Sequence, residues 1–368
     1  MILMKVGFIS NSDVYDKRAW SGTINFLYET LNKEYDMYPI VIEHKIIQKM
    51  SRIITKGKRK YTLLDSFFYK LDINRKIKKA QKKGIKVFFA PAASTILGVA
   101  KIPIDCKVVY LSDATYHCML NYYYFNESKG DIKNYNRVEQ KSLCRADKVI
   151  FSSEWAKNDA IIYYGVDSNK IHVLPFGANL EDKYSGHDMG DIVKILFVGV
   201  EWERKGAELA IECVKNLNRR NYKKRFELTI IGLEKPEKYL ADDSIHFVGR
   251  LNKNNRDELN CMIKYYQQSD IFLLPTKAEC SAIVFSEAAM YGLPVFTHNT
   301  GGVMTYVEDG KTGRGLKLGS KAEDFADAIL KMLNEDKYKE WSINARKKYE
   351  KELNWNCWVE KCKELIEN

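Results

Sequence analysis

Glu279-Cys280-Ser281-Ala282-Ile283-Val284-Phe285-Ser286-Glu287-Ala288-Ala289-Met290-Tyr291-Gly292-Leu293-Pro294-Val295 places two carboxylates with seven residues between them, and Thr300-Gly301-Gly302 follows shortly after. Ahead of it, Ile271 to Leu274 is a short apolar run of strand length, closed by Pro275. The spacing predicts strand, loop and then a helix opening near Ser281. A helix start offers unpaired N–H groups and the positive end of a dipole, so the amides of Ser281, Ala282 and Ile283 can hold a diphosphate. Glu279 precedes that turn and Glu287 lies about two turns into the helix. The two acids then fall on opposite sides of a bound diphosphate, one within reach of a sugar and the other of a ribose. The plainer reading is a pair of solvated charges.

The block resembles the glycosyltransferase family 4 (group 1) enzymes, marked by Glu-x7-Glu-Ala, Gly-x-Pro-Val and Gly-Gly, here Glu279 to Ala288, Gly292 to Val295 and Gly301-Gly302. The resemblance implies an α/β chain of the GT-B fold, with two Rossmann-like doubly wound domains facing a central cleft. It also implies transfer of a sugar from a nucleotide-sugar with retention at the anomeric carbon. Under it, Glu279 contacts the donor sugar near the reacting carbon and Glu287 hydrogen-bonds the ribose hydroxyls.

The rest of the chain repeats one theme twice. Met4 to Ile9 is an apolar strand, and Trp20-Ser21-Gly22-Thr23 opens a helical pattern through Ile24, Leu27, Tyr28 and Leu31, a unit of a doubly wound sheet. Further strands are expected at Val87 to Ala90, Val108 to Leu111, Val149 to Ser152 and Ile171 to Val173. A second set runs Ile195 to Val198, Leu228 to Ile231, Ile245 to Val248, Ile271 to Leu274 and Val295 to Thr297. The loop-like stretch from Leu174 to Asp191 marks the domain boundary. The expected division is an acceptor domain over 1–180, a nucleotide-sugar domain over 181–350, and a final helix over 351–368 that, by resemblance, crosses back to the first domain.

Phosphate chemistry needs fixed positive charge. Gly199-Val200-Glu201-Trp202-Glu203-Arg204-Lys205-Gly206 follows a strand and precedes a helix, so its side chains can reach the carboxyl ends of the strands. Many family members carry Arg directly after the glycine and Lys before the second glycine. Lys205 matches, whereas Val200 stands at the Arg position. Arg204 is the candidate substitute, since a guanidinium grips two phosphate oxygens; the alternative is a surface charge at a helix start. Arg250, beyond another strand end, either lines a base pocket or is structural.

In the first domain, Gly22 lets a diphosphate or acceptor approach the backbone. Tyr110-Leu111-Ser112-Asp113-Ala114-Thr115-Tyr116-His117 lies where family members carry a His that contacts the donor sugar, but Ser112 or Asp113 takes its usual place. Asp113 and His117 are both candidate sugar partners; the alternative is a helix start with Asp113 as N-cap and His117 packed. Tyr122, Tyr123, Tyr124 and Phe125 either stack on an acceptor sugar or belong to the core.

The chain has no Asp-x-Asp triplet, the usual carboxylate pair for a metal on a diphosphate. No metal and no separate cofactor is therefore expected. Stabilisation of the leaving group falls to Lys205, Arg204 and the helix-start amides. No side chain stands out as a nucleophile, and as in the family a front-face substitution is expected, with the departing phosphate taking the acceptor's proton.

At 368 residues, with 45% hydrophobic composition, the chain suits two domains. Its eight cysteines include no Cys-x-x-Cys, so the thiols are expected to be reduced and mostly buried in a cytoplasmic protein. The net charge is +11, yet His44 to Lys86 alone holds 15 Lys and Arg against 2 Asp, so the remainder is slightly acidic. Ile46, Ile47, Met50, Ile53 and Ile54 form one helical face beside Lys45, Lys49, Arg52 and Lys56. Such a segment fits either an anionic membrane surface, placing the protein peripherally on its inner face, or an ordinary surface helix. No nucleic-acid motif accompanies the basic balance. The expected partners are a nucleotide-diphosphate sugar, UDP- in preference to GDP-, and a glycan, lipid-linked or protein acceptor in cell-surface glycan synthesis. The competing functions are a nucleotide-sugar epimerase and a catalytically silent nucleotide-sugar-binding subunit.

Overall fold

A computed structural model describes residues 3–43, 49, 53, 63–186, 188–220, 222–239, 242–281 and 283–368. The chain forms two compact units: Met1–Leu174 with Val359–Asn368, and Pro175–Trp358.

The first unit is built on β1 (Lys5–Ser10), β2 (Asp36–Val41), β3 (Val87–Pro91), β4 (Lys107–Ser112), β5 (Lys148–Phe151) and β6 (Ile171–Val173). All pair in parallel, in the order β2-β1-β3-β4-β5-β6. Parallel strands need covered faces and read as continuous apolar runs, and Phe8, Phe88, Phe89, Tyr110 and Phe151 are fully buried accordingly. The larger helices are α1 (Thr23–Leu31), α2 (Leu63–Gln81), α3 (Lys129–Arg145) and α4 (Glu154–Ile162). The strand order reverses between β1 and β3, which opens a crevice at their carboxyl ends.

The second unit has β7 (Ile192–Val198), β8 (Arg225–Ile231), β9 (Ile245–Gly249), β10 (Ile271–Leu274), β11 (Val295–Asn299) and β12 (Gly313–Lys317). Their order is β12-β11-β10-β7-β8-β9, again parallel. Its helices are α5 (Ala207–Arg219), α6 (Arg256–Gln268), α7 (Ile283–Met290), α8 (Ala322–Asn334), α9 (Tyr338–Lys351) and α10 (Trp355–Glu367), the last ending in the first unit. Phe197, Phe226 and Phe272 are fully buried, each contributing on the order of 2–3 kcal/mol. The reversal lies between β7 and β10. Phe272 stands opposite Leu196, so those two strands end level, at Val198 and Leu274.

Three expectations are corrected. The strands β2 and β12 were not anticipated: both are sheet edges, one carrying Pro39 and the other two glycines, Gly313 and Gly315, features tolerated at edges and weak as strand signals. β7 begins at Ile192 rather than Ile195, because its entry alternates exposed and buried residues before the continuous apolar run. The first helix begins at Thr23, since Trp20, Ser21 and Gly22 are left-handed, with φ of 50°, 57° and 92°. Of the basic amphipathic segment, Lys45, Ile46, Ile47, Met50, Arg52, Ile54 and Lys56 lie outside the described residues; Lys49 and Ile53 are exposed.

Candidate functional site

Two loops meet at the reversal point of the second unit. The loop after β7 passes through Gly199 and the single helical turn Trp202–Lys205 to Gly206. Gly206 has φ +73°, and a Cβ there would lie 2.3 Å from the Pro275 carbonyl oxygen, so this loop can pack on the one after β10 only with glycine in place. Further bonds lash the two together. The Lys277 N–H donates to the Arg204 carbonyl at 2.7 Å, and the Arg204 guanidinium donates to the Ala278 carbonyl at 3.0 Å.

The result is a charged cluster. Lys205 and Glu279, 9% and 8% exposed, form a close ion pair through Nζ and Oε2. The Arg204 guanidinium lies 3.8 Å from the same carboxylate oxygen and also pairs with Glu201. That hydrogen bond holds the Glu201 carboxyl below its ordinary range. Arg204 is turned into the cluster, with its side chain 19% exposed, while Val200 points to solvent. The Gly302 N–H donates to the Glu279 carbonyl at 3.0 Å, joining the Gly301-Gly302 turn after β11 to the same place.

The helix behind it starts at Ile283 rather than Ser281. Ala282 lies outside the described residues. The Ile283 N–H donates to the Ser281 carbonyl at 2.9 Å, so the expected set of three open amides is not what the structure presents. Glu287 is fully buried on α7. Its carboxylate accepts from Lys253 Nζ at 2.6 Å and from the Tyr266 hydroxyl at 2.9 Å. Neither partner was anticipated, because each lies on another element. Arg250 is exposed just beyond β9, and among the described residues it forms no ion pair with Glu279 or Glu287, whose partners are Lys205 with Arg204 and Lys253.

In the first unit, the Trp20 indole N–H donates to the Asp113 carboxylate at 3.2 Å, tying the turn before α1, with Gly22, to the loop after β4. Thr115, not Asp113, caps the turn Tyr116–Met119, accepting from the Cys118 N–H at 3.2 Å. His117 Nδ1 lies 2.6 Å from Asp159 Oδ1 on α4. Asp159 also accepts from the Thr115 hydroxyl, and the imidazole stacks on Tyr163 at 3.5 Å. His117 is therefore oriented rather than merely packed, and Asp159 is a member that spacing did not reveal. Tyr122 and Tyr123 are partly exposed, and Tyr124 and Phe125 are 37% and 62% exposed, which sets them outside the core. Among the described residues no cluster of three or more His, Cys, Asp or Glu is placed to hold a metal ion, and no helix is long and apolar enough to cross a membrane.

Comparison with known proteins fits this architecture. The family described as Glycosyltransferase Family 4 matches residues 52–182, and the family described as Glycosyl transferases group 1 matches residues 183–348. The chain belongs to the group 1 glycosyltransferases and has the two-domain, Rossmann-like GT-B fold. Curated relatives include the D-inositol 3-phosphate glycosyltransferases of Rhodococcus jostii, 24% identical over 54% of this chain and 47% of that one, and of Gordonia bronchialis, 28% identical over 56% and 49%. The chain thus spans about half the length of the curated relatives it matches. Among solved structures, the sucrose-phosphate synthase of Thermosynechococcus elongatus superposes with a TM-score of 0.69 at 17% identity, over 98% of both chains. The Anabaena protein HepE, solved in complex with UDP and glucose, gives 0.66 at 13%, over 99% of this chain and 100% of that one.

Proposed function

We propose that this protein transfers a sugar, of the hexosyl type, from a nucleoside diphosphate sugar to a hydroxyl of a glycan, lipid-linked or protein acceptor, with retention and without a metal. The observation that carries this reading is the gathering of Arg204, Lys205 and Glu279 at the level ends of β7 and β10. In a doubly wound sheet that reversal point is where ligands bind. A diphosphate there meets two fixed cations, and a lysine with three donors can serve a phosphate oxygen while keeping Glu279 in place.

Charge developing on the departing diphosphate is then stabilised by Lys205 and Arg204, which is electrostatic preorganisation. Glu279 faces the reacting sugar and Glu287 the ribose. On the front face, the bond from the anomeric carbon to the diphosphate breaks as the bond to the acceptor oxygen forms. The acceptor's proton passes to the departing phosphate. Gly22 at the first unit's turn, and Asp113 and His117 at its strand ends, serve sugar or phosphate oxygens, and Arg250 flanks the base. The UDP held by HepE favours uridine over guanosine. The curated relatives add a phosphorylated polyol to the acceptors worth testing.

Residues 44–86 are proposed to meet an anionic membrane on its cytoplasmic face. On α2, Phe67 and Leu71 are each 55% exposed beside exposed Lys70, Arg75 and Lys78, a combination suited to an interface.

The test is a thermal-shift series with UDP- and GDP-sugars, followed by assay of nucleotide released with and without acceptors. One base series should raise the melting temperature, because ligand that binds only the folded state stabilises it. Acceptor-dependent release with an unchanged anomer in the product supports the proposal. Sugar interconversion without acceptor would identify an epimerase, and binding without turnover a silent subunit.

A further inference from the structure

A carboxylate as deeply buried as that of Glu287, 1% exposed in its side chain, requires partners, because removing it from water is strongly unfavourable. Both partners come from outside its own helix. Tyr266 reaches one oxygen from α6, and Lys253 reaches the other from the turn after β9.

That turn is itself fixed. The Asn252 N–H donates to the Glu258 carboxylate at 2.7 Å and the Asn254 N–H to the Asn252 side chain at 3.0 Å. Asn255 caps α6, accepting from the N–H groups of Asp257 and Glu258. Lys253 is thus held on both sides. Its side chain is 21% exposed against 1% for Glu287, so the open side of the ion pair is the lysine's. One of its N–H bonds serves Glu287, which leaves donors for a ligand. The carboxylate likewise keeps acceptor capacity beyond its two contacts, since it has about four lone-pair sites.

We propose that Lys253 is a positioning and specificity residue for a nucleotide's ribose. It orients Glu287 so that the remaining lone pairs accept from the vicinal 2′- and 3′-hydroxyls, and it donates to the oxygens of that same diol. This rests on the reading that Glu287 meets the ribose. An alternating array of this kind recognises a ribonucleotide and rejects an analogue lacking the diol, because the buried groups are then left unpaired.

The test is calorimetric titration of the full chain with UDP and with 2′,3′-dideoxyuridine diphosphate, and with the matching guanosine pair, for the parent, Lys253→Met, Lys253→Arg and Glu287→Gln. The parent should prefer the ribonucleotide. Lys253→Met should weaken ribonucleotide binding about tenfold, as loss of a charge-assisted contact predicts, while dideoxy binding stays unchanged. Lys253→Arg should retain most of the preference. Should the Met variant melt early, Lys253→Gln carries the same comparison. If Lys253 only fastens its turn, both analogues weaken together or neither does, and the proposal is overturned. A parent indifferent to the diol, or a Glu287→Gln variant that keeps the full preference, would instead show that the ribose is not at Glu287.

Discussion

Glu279 and Glu287 have the same chemistry and different surroundings, and the difference decides what each substitution should do. Glu279 shares its carboxylate between Lys205 and the nearby Arg204, the groups assigned to the leaving diphosphate. Glu287 is enclosed by Lys253 and Tyr266. Glu279→Ala should therefore chiefly lower kcat, and Glu287→Ala should chiefly weaken nucleotide binding. Lys205→Ala should cost about 2–4 kcal/mol in activation free energy, the scale of one preorganised charge. Because it also leaves Glu279 buried without its main partner, a melting curve must accompany the kinetics. Small and equal effects from the two acids would remove the site assignment. Among the second unit's candidate residues, Glu279, Lys205 and Glu287 stand out in a linear reading because motif and strand ends mark them. Lys253 and Tyr266 there, and Asp159 beside His117 in the first unit, do not, since each meets its partner only through tertiary packing between separate elements.

Among the elements, the central strands announce themselves as continuous apolar runs, whereas the edge strands β2 and β12 are hidden by Pro39, Gly313 and Gly315. The position of α7's start was likewise illegible, because the bond from Ile283 to Ser281 depends on how the loop after β10 is lashed down. One element carries a pH-dependent liability. Glu139 on α3 is buried and accepts from the Tyr110 hydroxyl at 3.0 Å. Burial raises its carboxyl from 4.5 to about 7. Between those values the folded state holds the proton that the unfolded chain releases, so this group's contribution to stability falls as pH rises and levels off above about 7. Glu139→Gln should thus be close to the parent near pH 5 and more stable at pH 8, by on the order of 3 kcal/mol at most. Chemical denaturation at the two pH values checks the sign. A variant destabilised equally at both would show that Glu139 is ionised and satisfied in the fold.

At the scale of the whole molecule the charge is uneven, with the excess of basic residues gathered between 44 and 86. If that segment meets an anionic surface, each well-placed Lys or Arg adds about 1 kcal/mol of attraction, which salt should screen. Replacing Lys49, Arg52 and Lys56 together by Gln should weaken binding to anionic vesicles and transfer to a lipid acceptor, yet leave donor hydrolysis intact. Sedimentation with vesicles at low and high salt gives the answer, and unchanged binding would favour a soluble acceptor. The second unit is proposed to hold a nucleoside diphosphate sugar at the reversal point of its sheet and to stabilise the leaving diphosphate with its own cations. The most direct measurement is nucleotide release from UDP-sugars in excess chelator, comparing the parent with Lys205→Ala. Turnover by the parent should be undiminished by chelator, and the folded variant should lose about 30-fold or more. Turnover abolished by chelator and restored by magnesium or manganese, with Lys205→Ala as active as the parent, would contradict this proposal.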